Sequence, residues 1–383
     1  MAIASTKDLP RAALVAGAFL ALACGHSDPF STPPFGTSQP FDPTPPIRLT
    51  LNEAADRGAS WLPDGSALLY SAQQLGRADA DVCLAELPPT GGSQRRLSCD
   101  PTLADAEVSN AIESPAVSAS GSLAFVKASS SIGGTNPSRE AVAVAPGLDP
   151  ATASEVRSIP YTIIGDPTYT GVTSLRWLSD TRLVYVGGRT VLRRACPDCR
   201  LDTLASGLKV SILELAPLTA TPATVPGTDF ASGVAVGSSP DEIYYTLGGD
   251  SRVFRRLLST GEVSVVHDFG EAGIVRDVHV VGRRLAATVG GRVAFSTDPV
   301  LGPTQWDSGG IVHVVDIPSG SDIELPGPGL FRRPAFSPLG DRLVAEGYAL
   351  IFSGRVDPIT SEQHVDTTVS RAGDLYLYDF AAP

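Results

Sequence analysis

The chain has 383 residues, a formal net charge of −12 and a pI near 4.9. No basic stripe is available for neutralising phosphates, so nucleic acid is excluded as the expected partner, and so is polybasic attachment to anionic lipid. The length exceeds the usual single domain, but all-β domains run long enough for one large core.

Lys7 and Arg11 precede the apolar run "AALVAGAFLALA", which suits a signal-peptide core and is too short to span a bilayer. The run ends at Cys24. The segment "LALAC" resembles a bacterial lipoprotein signal, in which the Cys after a small residue becomes the lipidated N-terminus. Ala23 fits that small position, whereas Ala21 stands where Leu is commoner. An ordinary secretory signal with a coincidental Cys is the alternative, and both readings export the protein. Residues 1–23 are therefore expected to be a signal peptide. Residues 24–46 are rich in Pro, Ser and Thr and lack an apolar period, so they read as a tether reaching up to roughly 60 Å. Gly25, rather than Asp, after the Cys implies the outer membrane by analogy with proteobacterial lipoproteins.

From residue 47 a repeat sets in. "WLPDGSALLY" recurs as "VSASGSLAF", "WLSDTRLVY", "GSSPDEIYY", "VVGRRLAAT" and "FSPLGDRLVA", with apolar anchors Leu68, Leu123, Leu183, Ile243, Leu285 and Leu343. Each copy runs from an apolar strand through a tight turn into a strand rich in β-branched and aromatic residues. Two shorter strands follow, as in "DVCLAELPPTGGSQRRLSC" and "IVHVVDIPSGSDIELP". Four antiparallel strands, repeated radially, predict an all-β, six-bladed β-propeller over 47–383. At its ends, "DLYLYDF" (374–380) reads as a third strand with no fourth after it, and "IRLTLNE" (47–53) aligns with the fourth strand "RRLSCDP". The N-terminal strand is expected to close the last blade, pairing edges that would otherwise be exposed.

The repeats, most clearly "WLPDGSALLY" and "FSPLGDRLVA", resemble the TolB-like propeller repeat of bacterial envelope proteins. The resemblance extends over 47–380 and implies the fold. Its motif is structural and carries no catalytic residue.

Four cysteines besides Cys24 make an even number in an exported chain, which predicts pairing. A hairpin register pairing Leu87 with Arg95 and Ala85 with Leu97 would set Cys83 opposite Cys99. Cys196 and Cys199 form a CxxC that could close a loop, act as a redox dithiol or supply half a metal site. No thioredoxin-like pattern and no second CxxC accompany it, which favours the structural disulfide.

Motifs for chemistry are sparse. GxSxG, GxxxxGK[ST], HExxH and EF-hand patterns do not occur, and no cofactor or metal is expected. The histidines, His26, His267, His279, His313 and His364, lack metal spacing, and His279 and His313 in alternating strands read as hydrogen-bonded structural imidazoles. Strand order puts the blade-to-blade segments and the second-to-third-strand loops on one face. Those loops (about 188–209, 289–309 and 353–373) are long enough to signal binding. The blade-to-blade segments bring candidates Asp56, Asp105, Glu113, Asp166, Asp229 and Asp277, with Arg276, Arg332 and Arg333 as counter-charges; a solvated rim of an acidic protein explains them equally well. The expected function is therefore a monomeric, non-enzymatic envelope lipoprotein binding a protein or glycan partner, with the membrane reached only through the lipid. A lyase or hydrolase with carboxylates at the propeller mouth is the enzyme alternative, and a plain scaffold is the third class.

Overall fold

The computed structural model describes residues 46–50, 55–73, 80–86, 95–99, 108–131, 139–160, 163–164, 166–194, 201–217, 222–290, 309–327, 329–356 and 363–380. A two-residue strand, β1 (Ile47–Arg48), opens it. The first meander is β2 (Asp56–Trp61), β3 (Leu68–Gln73), β4 (Ala80–Glu86) and β5 (Arg95–Cys99); the second is β6 (Val108–Val117), β7 (Leu123–Ser131), β8 (Arg139–Ala145) and β9 (Ser154–Pro160). In the third, β10 (Ile163–Ile164) leads into β11 (Asp166–Ser179) and β12 (Arg182–Arg194). β13 (Leu201–Ser206) folds back on the far half of β12, and β14 (Lys209–Glu214) with β15 (Ala223–Thr224) completes the sheet. The fourth comprises β16 (Ala231–Val236), β17 (Glu242–Leu247), β18 (Arg252–Leu257) and β19 (Val263–Asp268). The fifth comprises β20 (Ile274–Val281), β21 (Arg284–Gly290), β22 (Ile311–Asp316) and β23 (Ser321–Glu324). β24 (Gly329–Phe336), β25 (Arg342–Val356) and β26 (Gln363–Asp379) form the last, with β1 outermost.

The molecule is all-β, with four-stranded antiparallel blades in a propeller arrangement. Among the described residues the hydrogen bonds define five sheets rather than the expected six. Ala80 pairs in parallel with Ala111, and this single bridge fuses the first two meanders into one eight-stranded sheet.

The repeat anchors explain how the blades stack. Trp61 pairs with Leu68, Val117 with Leu123, Trp177 with Leu183, Val236 with Ile243, Val280 with Leu285, and Phe336 with Leu343, always at the turn end of the first hairpin. All six anchors are buried. Each fills the layer between neighbouring sheets, where burying a Leu or Ile side chain contributes about 2 kcal/mol. The first strands touch in a closed cycle: β2, β6, β11, β16, β20, β24 and back to β2.

The chain ends meet as expected. Ile47 pairs with Leu377 and Arg48 with Tyr376, Leu49 N–H donates to Leu375 O at 2.7 Å, and Arg48 bridges Asp374 at 2.7 Å. The regular ladder is shorter than "IRLTLNE", and residues 51–54 lie outside the described set.

Two expectations about the connections are corrected. The regions anticipated as long loops near 188–209 and 353–373 are largely β-ribbons, with ladders running from Thr190↔Ser206 to Arg194↔Leu201 and from Leu350↔Val369 to Val356↔Gln363. In the β4–β5 hairpin the register does set Cys83 opposite Cys99, but Ala85 faces Arg96 and Glu86 faces Arg95, because the register shifts between Leu84 and Ala85. No disulfide is seen among the described residues. Cys24, Cys196 and Cys199 lie outside them.

Candidate functional site

The site grows from a shared irregularity in the first strands. In β2 the register skips from Arg57 to Ser60, so that Gly58 and Ala59 together oppose Tyr70. β6 skips in the same way from Glu113 to Ala116, β11 from Thr173 to Arg176 and β24 from Arg332 to Ala335. At each bulge the first extra residue has a left-handed backbone: Gly58 (φ 64°), Ser114 (φ 51°), Ser174 (φ 52°) and Arg333 (φ 46°). Only glycine adopts this conformation without steric cost. Ser114 and Arg333 also precede prolines, which further restricts their backbones. Strain of this kind, of order 1 kcal/mol or more per residue, persists where the surrounding fold imposes it and concentrates at functional sites.

The four bulges face one another across the axis. Gly58, Ala59, Ser114, Ser174, Arg176, Asp277, Val278, Arg333 and Pro334 line a small pocket that opens to solvent. Just past the bulges, toward the short turns, the Trp61 indole donates to Ala335 O and the Trp177 indole to Ala116 O, each at 3.0 Å. These bonds tie neighbouring first strands together beside the pocket.

Glu346, on β25 opposite Arg332, is fully buried. It accepts hydrogen bonds from Gly58 N at 2.5 Å, Arg333 Nη1 at 3.2 Å and the Tyr348 hydroxyl at 3.0 Å. The Glu346 charge, then those of Glu113 and Asp277, hold the Arg333 guanidinium above its ordinary pKa despite burial. Arg332 lies over the Tyr348 ring at 4.7 Å. Burial, reinforced by the Glu346 charge, keeps the Tyr348 phenol well above its usual range.

Asp277 accepts from Arg333 N at 3.3 Å. Asp277 is half-buried and lines the pocket. Burial pushes its pKa up, against the pull of Arg333. Burial lowers Arg176 to about 10, Asp277 opposing this and Arg333 adding to it. His279 accepts from Phe336 N through Nδ1 at 3.2 Å, which places the proton on Nε2. Burial, then the Arg176 charge, hold it neutral with a pKa lowered to about 3. His313 is hydrogen-bonded to Asp322 at 3.0 Å. Both imidazoles thus have the structural partners expected of them. Among the described residues no group of three His, Cys, Asp or Glu side chains is placed to hold a metal ion.

The candidates from sequence separate clearly. Asp277 and Arg333 line the pocket, and Glu113 sits immediately before the Ser114 bulge with its charge felt by Arg333. Arg276 is the extra residue where the register of β20 shifts between Val275 and Asp277, and Arg332 flanks the bulge of β24. Asp56 is buried at the start of β2, and Asp166 begins β11. Asp229 is exposed and pairs with Lys209 at 2.7 Å, as a solvated rim charge would. Asp105 lies outside the described residues. Asp56, Glu113, Asp166, Arg276, Asp277, Arg332 and Arg333 therefore belong to first strands rather than to the connecting segments where they were expected. Sequence reasoning missed Arg176, Glu346, Ser114 and Ser174. The signal available was a small residue or Arg, nine or ten positions before each anchor, in "RGAS", "ESPA", "TSLR" and "RRPA".

No protein-family model matches the sequence, and no curated protein matches it either. Among solved structures the chain is similar to TolB from Acinetobacter baumannii (13% identity, TM-score 0.43, covering 84% of this chain and 62% of that one). It is also similar to XC5397 of Xanthomonas campestris, described as a gluconolactonase (15%, 0.47, 91% and 99%). A third is the PQQ-bound aldose sugar dehydrogenase of Streptomyces coelicolor (13%, 0.48, 91% and 100%). The chain thus spans less than two thirds of the TolB structure. At these identities the fold assignment rests on the strand order, not on the neighbours.

Proposed function

We propose that this protein is an exported, lipid-tethered propeller of six blades that binds an envelope protein or glycan without transforming it. Cys24 is the anchor, 24–46 the tether and 47–383 the binding domain, and the register that sets Cys83 opposite Cys99 supports a disulfide forming between them on export. The six-blade count is supported by the closed cycle of six first strands, the fused sheet counting as two blades. The working face is the one from which the β12–β13 and β25–β26 ribbons extend, with the axial pocket opening toward it.

Glu346 carries the choice of binding over catalysis. An acid–base pair at the mouth needs a second carboxylate free to exchange a proton or to attack. Burial raises Asp277 first and the charge of Glu346 adds to it; the Glu346 oxygens already accept three hydrogen bonds. With three of its roughly four acceptor positions taken and no exposure to solvent, this group holds the ring together and is poorly placed to attack a substrate or exchange a proton with one.

Site-specific photocrosslinking in intact envelopes tests this reading. Probes on the ribbons, at Thr190 or Phe352, should trap a defined partner, and probes at the short turns beside Gly65 or Gly340 should not. Trapping only from the short turns would reverse the assignment of the working face.

A further inference from the structure

Among the described residues the pocket holds a guanidinium with no carboxylate at ion-pair distance, its nearest opposing charge being Asp277, and two hydroxyls with no protein hydrogen-bond partner. Arg176 donates from Nη1 to the carbonyl of its own neighbour, Leu175, at 2.8 Å, and among the described residues no carboxylate lies within ion-pair distance of it. Ser114 is 8% exposed and lines the pocket, and neither its hydroxyl nor that of Ser174 has a hydrogen-bond partner among the described residues. Both serines sit on strained bulges, where glycine would relieve the backbone and remove the hydroxyl. A partly buried guanidinium and two hydroxyls free of protein partners converge on one small space that opens to solvent, where an anion can replace the water they would otherwise bind.

We propose that the axial pocket is a carboxylate-binding site in which Arg176, Ser114 and Ser174 hold the carboxylate of a ligand and Asp277 faces the ligand's hydroxyl or amide. A planar monoanion matches one guanidinium fork. A dianionic phosphate fits worse, because the other pocket arginine, Arg333, is already paired with Glu346. The desolvation that lowers Arg176 is offset when a carboxylate docks beside it. This inference deepens the binding reading by naming the chemistry at the centre of the working face, and it rests on that reading only for its biological setting. The test below needs no partner, so its failure is distinct from that of the crosslinking.

The full mature chain carrying Cys24→Ser would be titrated calorimetrically with lactate, succinate and inorganic phosphate, and with a pentapeptide as its free acid and as its amide. At least one carboxylate should bind at millimolar concentration or tighter. R176K should weaken it about tenfold, since Lys lacks the bidentate fork. S114G and S174G should each weaken it severalfold while melting no lower than wild type, which keeps the test informative if the Arg176 variant folds poorly. Preference for the free-acid peptide over lactate, with the amide silent, would support the site and assign it to a chain terminus; preference for lactate or succinate would support it and assign it to a small metabolite. Absence of carboxylate binding to the wild type, unchanged affinity in the serine variants, or tighter binding of phosphate than of any carboxylate would overturn it.

Discussion

At the scale of single residues, the bulges set stability against site chemistry. Gly58 at φ 64° would bring an added Cβ to 3.3 Å from Ser114 N, so Gly58→Ala should cost about 1–2 kcal/mol through backbone strain. Ser174→Gly removes the same kind of strain at φ 52° and should leave the melting temperature unchanged or higher. Equal destabilisation by the two would show that the left-handed positions carry no strain. His279 adds a pH dependence. Its pKa falls from 6.5 in the unfolded chain to about 3 in the fold, so its stabilising contribution is complete above pH 6.5 and is lost as pH falls toward 3. The slope from this one group reaches at most about 1.4 kcal/mol per pH unit. Asp277, raised above 3.8, has the opposite sign: it favours the fold below 3.8, and that contribution is lost as pH rises through its elevated value. Urea unfolding between pH 7 and 4.5 should show the loss and His279→Gln should flatten it, the glutamine oxygen still accepting from Phe336 N. An unchanged slope in His279→Gln would remove His279 as the cause.

At the scale of strands and hairpins, the parts legible in the sequence are those with a repeated physical demand. Leu68, Leu123, Leu183, Ile243, Leu285 and Leu343 announce themselves because every blade must bury the same position beside the same tight turn. The pairing of β1 with β26 was legible for a related reason: a third strand at the C-terminus left a fourth strand to be found elsewhere. The pocket was not legible because bulges break the alternation on which strand reading depends. One extra residue exchanges the two faces of a strand from that point on, so the face presented by Arg176, directly before Trp177, or by Arg333, directly before Pro334, cannot be counted from the anchor. Glu346 was hidden differently, as one carboxylate in the otherwise apolar run "RLVAEGYAL". The supposed long loops are largely ribbon because "RTVLRR" and "LIFSGRV" continue the β-pattern of their parent strands, so that the segments between the blade strands pair with themselves.

At the scale of the whole molecule, the ring closes at only one point. Five of the six junctions between neighbouring first strands join segments that follow one another in the chain, whereas the contact of β24 with β2 brings together segments about 270 residues apart. What clasps that junction is short: the Ile47 and Arg48 pairs, the Leu49 bond, and the Thr50 hydroxyl accepting from Leu375 N at 2.9 Å. Beside it Trp61, from the first blade, donates to Ala335 in the last, and Arg342 lies over the same indole at 4.9 Å. The Arg48–Asp374 bridge is 42% exposed on the arginine side, so its own contribution is about 0.5 kcal/mol and the backbone pairs carry most of the clasp. Deleting residues 47–50 should therefore expose the edge of β26 and lower the melting temperature by several degrees, with concentration-dependent aggregation as the bare edge finds other chains. Deleting 25–40, which takes no part in the clasp, should leave both unchanged, and Arg48→Ala should fall close to wild type. Coincident melting of the two truncations would mean that the ring is held by its inner strands alone and that the N-terminal strand adds no closure.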